Sequence, residues 1–355
     1  MSISIRKTKE INVRPSAMDI FSGAGGLAIG FLKAGYNILL ASDIDQNCES
    51  TFKYNLKNIP FVRCNISELT SNIIRKCIDK REIDILLGGP PCQGFSTIGN
   101  RASSDPTRRT RHDPRNELFA EYLRVLKLVN AKFFLMENVR GLLTYKKGLF
   151  FDNLIRKIKQ AGYTNVDYKV LNAADYGVPQ FRERIFIIGN RVGKKMTFPE
   201  PSHSGIHLRD NGKLPYSTVQ EALSGLDENY YIPNHIPLRH GEINIARYKL
   251  IPEGGRMPER ALPRELYRKN FGNTFKRLHR NKPSLTLVPG HNAFPVHPTL
   301  DRTLTPREAA RLQVFPDDFI FFGNRQSQCT QVGNAVPPLL AQALAMHLKK
   351  NLIDG

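Results

Sequence analysis

Short apolar runs alternate with longer amphipathic stretches over residues 17–189. The runs AMDIF, NILLAS, FV, IDILLGG and FFLM start at Ala17, Asn37, Phe61, Ile83 and Phe133 and predict strands. Between them, helical periodicity runs on from the first strand to Ala34, then over 49–55, 118–129 and 149–160. Strands covered on both faces read as nearly continuous apolar runs, and their alternation with helices predicts an α/β fold with a doubly wound, mostly parallel sheet. VDYKVL and RIFIIG, flanking Tyr176-Gly177-Val178-Pro179, predict a hairpin at one edge, with the second run as the edge strand.

Periodicity is lost after Asn190, where Pro199, Pro201, Pro215, Pro233, Pro237, Pro252, Pro258, Pro263 and Pro283 interrupt the chain. A second domain or large insertion is expected there. Regular pattern returns at Thr305-Pro306-Arg307-Glu308, a capping box with proline at the first helical position, which predicts a helix through Gln313. A last amphipathic helix is expected over 338–352. The expected division is a catalytic and cofactor-binding domain over 1–193, completed by 326–355, and a smaller irregular domain with a hinge helix over 194–325. No internal repeat or low-complexity tract is present.

Composition narrows the class. The 355 residues are 41% hydrophobic, enough for one or two cores, which excludes disorder as the main state. No run of 18 apolar residues occurs and MSISIRKTKE lacks a signal peptide's apolar stretch, so a cytoplasmic protein is expected, with no membrane partner. The five cysteines are odd in number and none stand two to four apart, so neither a disulfide framework nor a cysteine zinc site is expected. His203 and His207 share a helical spacing, but Pro, Ser and Gly surround them and they read as loop residues; no metal is expected. The formal net charge of +20 points to nucleic acid. That charge is local: 194–237 has net −1 and 238–282 net +8.

The first strand runs into Phe21-Ser22-Gly23-Ala24-Gly25-Gly26-Leu27-Ala28, where Gly-x-Gly-x-x-Ala opens a helix. Glycines there let backbone approach a ligand, and Asp43, at the second strand's end, can accept from both ribose hydroxyls. This predicts a nucleoside site without choosing between NAD and S-adenosylmethionine. The fourth strand enters Pro90-Pro91-Cys92-Gln93-Gly94-Phe95-Ser96, whose prolines stiffen the turn that presents Cys92 at the same edge. Cys48, Cys64, Cys77 and Cys329 read as buried small hydrophobes. Glu137, ending the fifth strand in Glu137-Asn138-Val139, could cap a turn or pair with Arg140; beside a thiol and a nucleoside site it is a candidate acid. In Gln180-Phe181-Arg182-Glu183-Arg184, alternation puts Gln180, Arg182 and Arg184 on one face, where guanidinium can bind phosphate or stabilise charge on a base. The basic stretch with Arg101, Arg108, Arg109, Arg111 and Arg115 is either a disordered surface loop or one that closes on phosphates.

FSGAGGL, the acidic strand end at Asp43, GGPPCQGFS, ENV, QFRER, RTLTPREAARLQVFP and QVGNAVPP occur in this order across nearly the whole chain. In this the sequence resembles the bacterial DNA (cytosine-5)-methyltransferases of restriction-modification type. The resemblance implies a Rossmann-like S-adenosyl-L-methionine-dependent catalytic domain, with a target recognition domain in the variable stretch that holds the +8 segment. It implies that Cys92 attacks the cytosine 6-carbon, that Glu137 holds or protonates N3, and that Arg182 and Arg184 contact base and phosphate. Cofactor contacts are implied for Phe21, Ser22, Gly23, Gly25, Gly26, Leu27, Asp43, Ile44, Asn65, Ile66, Pro90, Asn334 and Val336. DNA contacts are implied for Gln93, Ser96, Arg101, Arg108, Arg109, Arg111 and Gln180. The expected partner is double-stranded DNA, bound in the nucleoid by a monomer, with a cognate restriction endonuclease acting separately. One position departs from the family: its third strand commonly ends Asp-Ile, holding the adenine amino group, whereas this chain reads Asn65-Ile66 and is expected to accept through the Asn65 carbonyl.

Two rivals have weaker support. An NAD-dependent oxidoreductase shares the glycine loop and Asp43 but has no use for PPCQ, ENV and QFRER together. An RNA cytosine-5 methyltransferase with DNA-type motifs tends to have a short variable region, and here about a hundred residues separate Asn190 from Leu300.

Overall fold

The computed structural model describes residues 14–91, 117–205, 212–226, 231–258, 262–268, 271–289 and 293–353. Its centre is a seven-stranded sheet: β1 (Ser16–Ile20), β2 (Asn37–Asp43), β3 (Phe61–Arg63), β4 (Ile85–Gly88), β5 (Phe133–Val139), β6 (Asn165–Asn172) and β7 (Glu183–Asn190). The order is β3-β2-β1-β4-β5-β7-β6. Pairing is parallel from β3 through β5, and β7 lies antiparallel to both β5 and β6. The doubly wound, mostly parallel sheet is therefore present. The edge assignment changes: β6, not β7, is the outer strand. Burial accounts for this, because Ile185, Phe186, Ile187 and Ile188 are apolar and at most 1% exposed, as an interior strand requires, while β6 is half exposed.

Alternation along the strands feeds two cores. Ala17, Ile85, Phe133 and Phe186 face one side, against α1 (Gly26–Lys33), α2 (Gln46–Asn55) and the C-terminal helix Pro338–Ile353. Met18, Leu86, Phe134 and Ile187 face the other, against α3 (Ser71–Ile78), α4 (Glu117–Val129) and α5 (Leu149–Gln160). Each fully buried Leu, Ile or Phe contributes roughly 1.5–3 kcal/mol, which makes these cores the main source of stability. The C-terminal helix buries Leu340, Leu344 and Leu348 at four-residue spacing and approaches α1 at Gly30, where a Cβ would collide with Ala341. The capping box forms as expected: Thr305 Oγ1 accepts from Glu308 N at 3.1 Å, and Thr305 N donates to Glu308 Oε2 at 2.7 Å.

Two further clusters lie in the C-terminal half. One joins Ala24 and Ile29 to Leu287, Leu304, Phe315 and Val332. The other holds Tyr248, Ile251, Met257, Phe275 and Val296 around Arg277. The Arg277 guanidinium donates to the carbonyls of Tyr248, Ile251, His297 and Leu300 and to Asp301 Oδ1, all at 2.7–2.9 Å. A sequence rule that reads arginine as surface charge misses this internal brace.

Candidate active site and nucleic-acid cleft

Phe21 turns out of β1 in the left-handed region (φ 55), which a bulky side chain rarely adopts. Gly23 (φ 54) and Gly25 (φ 88) continue the turn. Ser22 N donates to Ser42 O at 3.0 Å, tying the loop to β2. Gly26 passes so close to the Val336 carbonyl that a Cβ would collide with it. The N-cap of α1 is Gly25, which has no side chain to offer. Ala28 N donates to Asp19 Oδ2 at 3.2 Å, and among the described residues the amides of Gly26 and Leu27 are left at the helix start, suited to an anion. Asp43 Oδ2 accepts from Gly23 N at 2.8 Å and Oδ1 from Asp45 N at 3.0 Å, and the Ile44 amide also bonds this carboxylate. Burial raises its carboxyl against these bonds. Ile44 is 64% exposed beside it.

Other predicted cofactor residues are placed differently. The side chains of Leu27, Ile66 and Val336 are buried in the core, so any contact is through main chain. The Asn65 Oδ1, expected to accept from a ligand, instead accepts from Ser67 N at 3.2 Å and Ser67 Oγ at 3.1 Å, capping the turn Ile66–Glu68. Asn334 is exposed and Pro90 buried. Cys48 and Cys329 are buried as expected; Cys64 and Cys77 are only half-buried. His203 lies in irregular chain, and His207 lies outside the described residues.

The second half of the site is at the ends of β4 and β5. Gly89 lies against Glu137: a Cβ there would stand 2.8 Å from Glu137 Oε2. Asn138, 2% exposed, donates its Nδ2 to Pro90 O at 2.9 Å and so ties β5 to the turn that leads to Cys92. Asn138 was missed by sequence reasoning; the available signal was a carboxamide in an otherwise apolar strand. Glu137 Oε1 pairs with Arg184 Nε at 3.0 Å, each side chain 12% exposed. Burial raises the Glu137 carboxyl, opposed by the charges of Arg184 and Arg182. Cys92, Gln93, Ser96, Arg101, Arg108, Arg109 and Arg111 lie outside the described residues.

Alternation in QFRER holds, but two of its inward residues are fully buried within the protein. Arg182 is fully buried and donates to the carbonyls of Gly333 (2.8 Å), Asn334 (3.3 Å) and Leu287 (3.4 Å). Gln180 is equally buried, accepting from Leu287 N at 3.3 Å and donating to Leu312 O at 3.5 Å. Both clamp the C-terminal segments to the sheet, because their neighbours offer main-chain groups that need partners away from water. Arg184 is the arginine that reaches the carboxylate.

A cleft of about 1010 Å³ opens beside this pair. Its lining includes Val139, Arg140, Thr144, Phe181, Glu183 and Arg184. Gly254, His279, Lys282 and Thr286 come from the segment after Asn190. Part of that segment's charge is spent internally: besides Arg277, Arg280 pairs with Glu253 at 3.0 Å, and Arg247 donates to Leu266 O at 2.9 Å.

The family profile described as C-5 cytosine-specific DNA methylase matches residues 16–350. The chain belongs to this family. It is 40% identical over 340 residues to the Type II methyltransferase M1.HphI of Haemophilus parahaemolyticus, covering 94% of this chain and 86% of that relative. It is 38% identical to M.MthTI of Methanothermobacter thermautotrophicus, covering 94% and 98%. A prophage-encoded chain of E. coli described as a DNA modification methyltransferase superposes with TM-score 0.70 at 28% identity, covering 96% of this chain and all of that one. As a DNA (cytosine-5)-methyltransferase, the protein transfers a methyl group from S-adenosyl-L-methionine to the 5-carbon of a flipped-out cytosine through a cysteine adduct. The residues at the first edge fit that donor. The amides of Gly26 and Leu27 suit its carboxylate, the Asp43 carboxylate its ribose, and exposed Ile44 its base. Among the described residues no helix is long and apolar enough to cross a membrane.

Proposed function

We propose that the edge at β1 and β2 holds the methyl donor, through Phe21, Ser22, Gly23, Gly25, Gly26, Leu27, Asp43, Ile44, Ile66, Pro90, Asn334 and Val336, and that the reacting groups are Cys92, Glu137 and Arg184. Bound there, the donor supplies an electrophilic methyl on sulfonium. The Cys92 thiolate adds to the cytosine 6-carbon, and the charge this pushes into the ring is relieved by a proton from Glu137 at N3. The 5-carbon of the adduct then takes the methyl, leaving S-adenosylhomocysteine; the 5-proton is lost to water, the double bond re-forms as the carbon–sulfur bond to Cys92 breaks, and N3 returns its proton to Glu137. Arg184 keeps Glu137 oriented and offers positive charge to the base. Arg182 and Gln180 are positioning residues that hold 284–287 and 333–334 against the sheet. The observation that carries this reading is the buried Glu137–Arg184 pair next to Gly89, three residues before Cys92 on an adjacent strand end.

On this reading 1–193 with 326–355 form the catalytic domain and 194–325 the target recognition domain and hinge helix. Gln93, Ser96, Arg101, Arg108, Arg109 and Arg111 meet the DNA around the flipped base. The protein acts as a cytoplasmic, nucleoid-bound monomer alongside a separate restriction endonuclease, a role in keeping with its Type II relatives. Bisulfite sequencing of DNA from cells expressing the chain should reveal one methylated sequence. Cys92→Ala should erase it while retaining DNA binding, and 5-fluorocytosine DNA should trap the wild type covalently. Turnover by Cys92→Ala refutes the nucleophile assignment. Exchange of 199–283 for a relative's segment should transfer specificity; an active chimera that keeps the parental site removes recognition from this segment.

A further inference from the structure

We propose that Asn65 makes the cofactor pocket indifferent to the 6-amino group of the donor's adenine. The inference rests on the nucleoside site proposed above. Cys64 N donates to Asp43 O at 3.2 Å, so Asn65 stands immediately beyond the acid assigned to the ribose, with exposed Ile44 beside it. A base attached to a ribose at Asp43 and laid on Ile44 extends toward β3, and the edge it turns to Asn65 is the one farthest from the glycosidic bond. In adenine that edge carries the 6-amino group.

The orientation of the Asn65 amide is set by chemistry. Ser67 N can only donate, and it lies 3.2 Å from the atom that caps it; that atom must be the oxygen, since an amide nitrogen would set donor against donor. Ser67 Oγ at 3.1 Å occupies the same oxygen. A carbonyl oxygen has two acceptor sites, and both are used. What Asn65, an exposed residue, offers outward is therefore Nδ2, a donor. A 6-amino group facing it is also a donor, and no hydrogen bond forms between them. Aspartate here would cap Ser67 with one oxygen and present the other as an acceptor. Asn65 keeps the cap and gives up the amino contact.

The test is calorimetric binding of S-adenosylhomocysteine and its 6-desamino (purine) analogue to the full chain and to Asn65→Asp. Aspartate caps helical turns as well as asparagine does, so the fold is preserved. Wild type should bind the two within about threefold. Asn65→Asp should prefer the amino compound by roughly tenfold or more, as a hydrogen bond to a charged group gives. A wild-type preference of tenfold or more, or an unchanged ratio in Asn65→Asp, overturns the inference. Asp43→Ala separates the two levels. If it weakens both ligands, the site reading stands whatever Asn65 does; if it weakens neither, the site reading fails and the inference with it.

Discussion

Replacing Glu137 by glutamine tests the proposed chemistry most directly, because the substitution preserves shape and removes one capacity. Glutamine can still accept from Arg184 Nε and can donate to N3 of cytosine, but it cannot hand over a proton. The ion pair it weakens spans 3.0 Å between side chains that are each 12% exposed. Removing one partner of a fully buried pair costs about 3–5 kcal/mol; with an amide still accepting the bond, about 1–3 kcal/mol of stability is the expected loss. The chemical loss is separate. A missing general acid lowers the rate by ~10²-fold or more, about 2.7 kcal/mol of barrier. Single-turnover methyl transfer should fall by that factor, while the Kd for S-adenosylhomocysteine stays within about threefold. The pH profile gives an independent reading. Burial raises the folded carboxyl above its ordinary range, so the competent protonated form persists to higher pH than for a free glutamate. The wild-type rate should decline as pH rises through that elevated value, and Glu137→Gln should lack this limb. Equal losses in rate and cofactor affinity, or an alkaline limb that survives in the variant, would refute the assignment.

Gly89→Ala should displace the Glu137 carboxylate, since the new Cβ would stand 2.8 Å from Oε2; turnover should drop at least tenfold with cofactor affinity retained, and a fully active variant contradicts the close approach. Asp19, buried beneath the glycine loop, has its carboxyl pushed up to about 7 by burial, opposed by the bond from Ala28. Its protonated form favours the fold, so this contribution is complete below the unfolded value of 3.8 and is lost as pH rises through about 7. Between about pH 5 and 8 the wild-type Tm should therefore fall more than that of Asp19→Asn; parallel curves dismiss the linkage. Duplex binding should weaken steeply with salt, and neutralising Arg108, Arg109 and Arg111 together should reduce the slope by up to about 3 on the log–log plot; an unchanged slope means these arginines touch no phosphate.

The alternation of apolar runs with helical periods was enough to read out a parallel sheet, its two covered faces and the edge where strand ends converge, because burial on both faces leaves a continuous apolar record in the chain. The glycine loop, Asp43, Glu137 and the Thr305 cap were legible for a related reason: local geometry or strand-end placement restricts which residues can stand there. Helices α3 and Arg325–Asn334 escaped notice, the latter because QSQCTQVGN is polar and its buried face is narrow. Which polar groups meet one another depended on contacts far apart in sequence, and only the tertiary structure decided them. Arg182 and Gln180 looked like DNA contacts and are clamps, because segments more than a hundred residues away place carbonyl and amide groups against them. Arg277 looked like part of a basic patch and is a brace for four carbonyls and one carboxylate. Asn65 looked like an acceptor for a ligand, but Ser67, two residues on, has taken its oxygen. Side-chain identity sets what a polar group can do; the partners that the fold brings within 3 Å or so determine which of those capacities remains for a ligand.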